Sequence, residues 1–253
     1  MSISGEVTQH PALERFDDRS VSRVLAVVAH PDDMEYGGAA AVAQWRSRGA
    51  DVAYVLATSG EAGIDSLAPD RAGPLRETEQ REACRRVGVH DVRFLGFPDG
   101  TVEYGLPLRR AIAREIRRFR PDTVLTSNFR ERWPGGPLNQ ADHVAVGRAV
   151  VDAARDAGNR WVFPEHAGEG VHPWNGTRLV LALSSPDATH AIDVSEGFEA
   201  GIESLRAHQE YLVGLGEGGA QQEKFVAENL AQVGRTLGTR YALPVEVLPI
   251  NLW

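Results

Sequence analysis

The chain contains one cysteine, Cys84, and one lysine, Lys224. A lone cysteine excludes an intramolecular disulfide framework and any cysteine-rich zinc module. Positive charge is also short. There are 27 basic against 35 acidic side chains, a net charge of −8. That balance argues against general nucleic-acid binding, which needs a basic footprint. No run approaches the ~20 apolar residues that span a bilayer. Met1–Arg23 is polar and acidic and lacks the apolar stretch of a signal peptide. The expected location is therefore the cytoplasm. What remains is 253 residues, 42% of them apolar, with 26 glycines. That is enough for one packed globular domain. The dominance of arginine over lysine reads as GC-rich codon usage in a bacterial source and says nothing about activity.

Strand-like and helical segments alternate along the chain. Arg23–Ala29 is a short apolar, β-branched run, followed by an Ala-rich helix to Arg48 and a second strand at Val52–Ala57. This β-α-β unit implies a parallel sheet with a right-handed crossover. Helices are expected at Pro74–Val87, Pro107–Phe119, Ala141–Ala157 (with Asn139 as cap), Ser195–Leu212 and Gln222–Leu237. Further strands are expected at Val92–Leu95, Thr123–Thr126, Leu179–Leu183 and Ala191–Val194. The pattern predicts an α/β, Rossmann-like fold with a mostly parallel sheet flanked by helices in a single domain. Residues 1–20 read as a lead-in, 21–213 as the body, and 214–253 as a C-terminal helical extension. Within the last, Gly214–Gly219 reads as a flexible break. Arginines in 109–120 read as a solvated helix face, Trp161 and Phe163 as core or interface packing, and Cys84 as a buried apolar residue. Oligomeric state is open: the Ser195–Leu212 helix and the Tyr241–Trp253 tail serve either a homo-oligomer interface or the core.

In an open parallel sheet, sites form beyond the carboxyl ends of strands. His30-Pro31-Asp32-Asp33 stands at such an end. A neutral imidazole and a carboxylate suit zinc, and a second carboxylate beside them can handle a proton. The same aspartates would also suit a helix N-terminus. A second pair, Asp142-His143, follows the long polar loop Ser127–Gln140. There His143 could be a further ligand and Asp142 could orient it or a neighbour; a capping Asp beside an exposed His is the alternative. Gly37 and Gly38 match no phosphate-binding pattern and read as close backbone packing. Trp133, in the loop before Asp142, is a lid, a sugar-stacking wall or an ordinary turn residue.

Together these residues resemble the PIG-L/LmbE-like deacetylases, zinc-dependent enzymes that remove acetyl groups from 2-acetamido sugars. Ala29-His30-Pro31-Asp32-Asp33-Met34-Glu35 resembles the family signature. Thr58–Gly63, Arg76–Glu79, Phe94–Gly100, Arg120-Pro121-Asp122 and Asp142-His143 follow in the family's order. The likeness runs from Val24 to Val194, with Ala207-His208-Gln209 resembling a late motif, and is nearest an actinobacterial branch. The resemblance implies Zn2+ held by His30, Asp33 and His143, with Asp32 as the general base. It implies that Arg76 and Asp99 bind sugar hydroxyls of a small amino-sugar substrate. Gln140 stands where most members have a histidine. Its amide can donate to an oxyanion but cannot shuttle a proton, so His166, His172 and His208 become candidates for a compensating acid. Two other readings follow: a zinc amidase for a non-sugar or thiol-conjugate amide, and a catalytically weak sugar-binding relative.

Overall fold

The computed structural model describes residues 13–214 and 219–250. One eight-stranded sheet runs through the molecule. Its strands are β1 (Glu14–Arg15), β2 (Arg23–Val28), β3 (Asp51–Leu56), β4 (Asp91–Phe94), β5 (Thr123–Ser127), β6 (Leu179–Leu183), β7 (His190–Asp193) and β8 (Ala242–Pro249). The helices are α1 (Gly38–Ser47), α2 (Pro69–Arg86), α3 (Leu106–Phe119), α4 (Ala141–Asp156), α5 (Phe198–Leu205), α6 (Gln209–Gly214) and α7 (Gly219–Leu237). The spatial order is β1-β7-β8-β6-β5-β2-β3-β4. Every pairing is parallel except those of β8, which is antiparallel to both β6 and β7. The sheet is therefore mixed but mostly parallel, as the alternation predicts.

β2 is apolar on both faces because both are covered. Val24, Ala26 and Val28 enter a core with Trp45 of α1, Cys84 of α2 and Leu205 of α5. Leu25, Val27 and Ala29 enter the other core, with Ile112 of α3 and Val150 of α4. From β2 the chain builds outward through β3 and β4, then returns to place β5 on the other side of β2. The strand order thus reverses between β2 and β5, and a crevice opens at their carboxyl ends. A Cβ on Gly38 would stand 2.6 Å from the side-chain ends of Leu183 and Met34, both of which would have to shift.

Several expectations need correction. Of the lead-in, Glu14–Arg15 form an edge strand on β7; residues 1–12 lie outside those described, as do 215–218 of the glycine-rich break. The expected helical extension carries α7 and then β8, which inserts between β6 and β7. Pro244 and Pro249 each lack a ladder N–H, which hides β8 from strand patterning. The single helix expected over Ser195–Leu212 is two, α5 and α6. The chain turns at Arg206–His208, and His208 is fully buried there. The expected cap Asn139 precedes the true N-cap, Gln140. Arg117 is not on a solvated face. It is buried and donates to the carbonyls of Asp156, Ala157, Asn159, Val162 and Phe163. Trp161 is exposed while Phe163 is buried. No helix among the described residues is long and apolar enough to cross a membrane.

Candidate metal centre

The turn after β2 is organised by its own carboxylate. Asp33 Oδ2 accepts the backbone N–H groups of Ala29 (2.9 Å) and His30 (3.0 Å). This leaves Oδ1 directed at His143 Nε2, 2.9 Å away. His143 arrives from the first turn of α4, across the β2/β5 crevice. Its Nε2 also lies 3.2 Å from His30 Nδ1, and His30 Nδ1 lies 3.7 Å from Asp33 Oδ1. Three donor atoms therefore converge: His30 Nδ1, Asp33 Oδ1 and His143 Nε2.

The outer nitrogens set the tautomers. His30 Nε2 faces two carboxylates, Asp99 Oδ1 at 3.1 Å and Asp142 Oδ2 at 3.3 Å. An acceptor pair there holds a proton on Nε2, so that a bound metal would take Nδ1 in place of a second proton. His143 Nδ1 lies 3.0 Å from Asn139 Oδ1, which keeps the proton on Nδ1 and leaves Nε2 inward. Asn139 is itself anchored, donating to the carbonyls of Asn128 and Arg130. Carboxylate or carbonyl partners on the far nitrogen are the usual support of metal-bound histidine. Tetrahedral zinc with bonds of about 2.0–2.1 Å separates its ligands by roughly 3.3–3.4 Å, and the three separations here bracket that value. The donor set fits a single divalent ion with three protein ligands.

Charge follows the same geometry. For His30, burial opposes the charged form, but Asp142, Asp33 and Asp99 outweigh it and raise the pKa to about 12. For Asp33, burial likewise opposes the charge, and His143 and His30 hold its carboxyl well below the usual range. Asp32 behaves differently. Burial pushes it up to about 6, partly offset by Arg76 and reinforced by Asp33.

Asp32 points from the same turn and is buried. Its backbone is left-handed, φ 88°, a conformation that costs a non-glycine residue about 1–3 kcal/mol. Arg76 NH2 donates to Pro31 O (2.6 Å) and Asp32 Oδ1 (3.0 Å), and NH1 donates to Gly60 O (3.0 Å). The Arg76 guanidinium stacks 3.9 Å from the Tyr211 ring. Gly60 must be glycine here. Its φ is 62° and a Cβ would lie 2.3 Å from Arg76 NH1.

The expected site residues mostly converge, with changed partners. His30, Asp32, Asp33, Asp142 and His143 are brought together. Asp142 orients His30 rather than His143, and its oxygens also take the N–H groups of Gly100 and Val102. Arg76 and Asp99, expected to meet sugar hydroxyls, are turned inward instead. Arg76 is 2% exposed and committed to Asp32. Asp99 is shared between His30 and the Ala62 N–H. Gln140 is exposed at the start of α4. Trp133 lies beside the centre, its ring 5.8 Å from His143 and edge-on. Of the candidate acids, His166 is packed on Arg117 and His172 is exposed, whereas His208 is buried 3.6 Å from Glu35, where its charge is felt by Asp32. Asn139 and Gln80 are supports that sequence reading missed. Each stands four residues from a candidate site residue, Gln80 from Arg76 within α2 and Asn139 from His143 just before the N-cap of α4, and that spacing was the available signal.

Fold and site together define an α/β protein whose strand-order reversal carries a candidate mononuclear metal centre. The model of the PIG-L family, GlcNAc-PI de-N-acetylase, matches residues 25–154. A 1D-myo-inositol 2-acetamido-2-deoxy-alpha-D-glucopyranoside deacetylase from Kineococcus radiotolerans is 30% identical over 78% of this chain and 70% of that protein. The chain spans 60% of the length of a second relative so named, from Thermomonospora curvata, at 31% identity over 65% of this chain. The chain belongs to the PIG-L family. The same fold occurs in an N,N'-diacetylchitobiose deacetylase from Pyrococcus horikoshii (TM-score 0.82, 20% identity, 92% of this chain and 85% of that one). It also occurs in the 4-carboxy-2-hydroxymuconate hydratase GalB from Pseudomonas putida (TM-score 0.73, 17% identity, 90% and 96%). The fold therefore does not choose the reaction; the site must.

Proposed function

We propose that the chain is a cytoplasmic, zinc-dependent N-deacetylase that hydrolyses the acetamido group of a 2-acetamido sugar or small glycoconjugate. The observation that carries this reading is the convergence of His30 Nδ1, Asp33 Oδ1 and His143 Nε2, with Asp32 buried in the same turn. The names of the relatives supply the substrate class. In this reading residues 21–213 carry the catalytic body, and the segment from 214 completes it by adding β8 to the sheet.

Zinc held by these three residues would supply Lewis acidity and a water of lowered pKa. The remaining work falls to the chain. Asp32 is the general base. Arg76 occupies its Oδ1, and Oδ2 takes a proton from water and passes it to the departing amine. Asp142 and Asp99 hold His30, and Asn139 holds His143, so neither imidazole turns away. Gln140 offers an amide N–H to the developing oxyanion and leaves the proton traffic to Asp32. Arg76 and Asp99 act through Asp32 and His30 rather than on the sugar. Trp133 forms an aromatic wall next to His143 for the sugar ring.

The test is primary-amine release from a panel of 2-acetamido sugars, using zinc-loaded protein and a chelator-treated control. Metal-dependent release is expected. No release from any sugar, with one zinc bound per chain, overturns the reading. Release from a non-sugar or thiol-conjugate amide would then mark an amidase, and sugar binding without release would mark an inert relative.

A further inference from the structure

Asp32 keeps a left-handed backbone that a non-glycine residue retains only where its surroundings impose it. Two side chains on one face of α2, Arg76 and Gln80, impose it. They are four residues apart and so project together. Arg76 grips Pro31 O and Asp32 Oδ1. Gln80 grips the backbone: its Oε1 accepts the Asp32 N–H at 2.8 Å.

The Gln80 carboxamide has only one workable orientation. Its Nε2 donates to Glu35 Oε1 (3.3 Å) and Cys84 Sγ (3.4 Å). Turned over, it would set its oxygen against the Glu35 carboxylate and its NH2 against the Asp32 N–H. Glu35 is fixed in turn from α5, where Ser204 Oγ lies 3.0 Å from Glu35 Oε1 and 2.9 Å from Ala83 O. Gln80, Glu35 and Ser204 are each at most 1% exposed, so water cannot replace these contacts.

We propose that Gln80, locked in orientation by Glu35, is a positioning residue: it sets the peptide plane of Asp32 and thereby aims the Asp32 carboxylate at the candidate metal centre. The inference rests on the reading of Asp32 as general base. Gln80 contacts Asp32, Glu35 and Cys84, none of them a candidate metal ligand, and acts only through Asp32.

The experiment compares wild type with Gln80→Leu. It reads amide hydrogen exchange at Asp32 by NMR, zinc per chain, kcat and KM. Exchange at Asp32 is expected to accelerate at least about tenfold, because a buried N–H loses its acceptor. The amide of Val27 in β2 should be unchanged. kcat is expected to fall roughly 10- to 100-fold, the scale of a small misplacement of a reacting group, with KM within about twofold and one zinc retained.

A second pair of variants reports even where Gln80→Leu fails to fold. Gln80→Glu sets a carboxylate against Glu35. Adding Glu35→Gln restores one donor and one acceptor across that contact, and should recover slow exchange and most of kcat. Unchanged exchange at Asp32 in Gln80→Leu, loss of zinc together with kcat, or a double variant no better than Gln80→Glu would each overturn the proposal. Failure of the deacetylase reading looks different: wild type would release no amine, while exchange at Asp32 would still depend on Gln80.

Discussion

Replacing Asp32 three ways separates its chemistry from its part in the fold. Asp32→Asn keeps the side-chain shape and an oxygen for Arg76 but removes the basic carboxylate. Loss of a general base costs about 10²- to 10⁴-fold in turnover. Zinc should remain, because Asp32 is not among the three convergent donors. Asp32→Ala goes further. It strips the counter-charge from a guanidinium that is 2% exposed, leaving Arg76 only the carbonyls of Pro31 and Gly60. Removing one partner of a buried ion pair costs about 3–5 kcal/mol, or roughly 6–20 °C in Tm for a chain of this size. Asp32→Gly removes the same carboxylate but relieves the backbone held at φ 88°, which returns about 1 kcal/mol or more. Asp32→Asn also removes the charge but keeps an acceptor for Arg76, so the stability order by thermal and urea denaturation should be wild type, then Asp32→Asn, then Asp32→Gly, then Asp32→Ala. Near-normal turnover in Asp32→Asn would refute the base assignment. Equal stability of Asp32→Ala and wild type would refute the claim that the carboxylate carries Arg76.

Two further outcomes follow. Asn139→Ala frees His143 Nδ1 from its acceptor and should weaken zinc binding about 10- to 100-fold, the usual cost of losing such a support; competition with a chromogenic chelator measures it, and unchanged affinity would show that the ring is held by packing alone. Asp193 joins Arg15, Ser195 and Thr239; against the opposing effect of burial, Thr239, Ser195 and Arg15 bring its pKa down to about 2. A folded pKa below the unfolded value of about 3.9 contributes stability that is full above pH ~4 and is lost as pH falls toward 2. Asp193→Asn should therefore flatten urea stability between pH 5 and pH 2.5, and an unchanged slope would count against the pairing.

The sequence exposed the parts of this protein whose causes are local. Strand β6 and the helices around the first four parallel strands follow from apolar periodicity and are recognisable without a structure. His30-Pro31-Asp32-Asp33 is likewise local, since Asp33 Oδ2 binds the N–H groups of its own turn. Strand β8 was not legible, because its two prolines break the strand pattern and its place between β6 and β7 depends on partners distant in the chain, from Asp193 opposite Ala242 to Leu179 opposite Pro249. The split between α5 and α6 was hidden for a similar reason: the helical spacing of Phe198, Ile202, Leu205 and Leu212 runs across a turn that exists to bury His208.

The residue types for a metal centre and their place at a strand end were thus determined by sequence alone. Which atoms meet was decided by the tertiary structure. The reversal of strand order between β2 and β5 brings His143 to His30 across a separation of 113 positions in the chain. Packing of α2 under the β2 turn makes Arg76 and Gln80 supports of Asp32, and the loop after β4 makes Asp99 a partner of His30. A side chain's type limits what it can donate or accept. Only the fold fixes which partner stands within 3 Å of it, and at this site that distance separates a sugar-binding arginine from a buried brace.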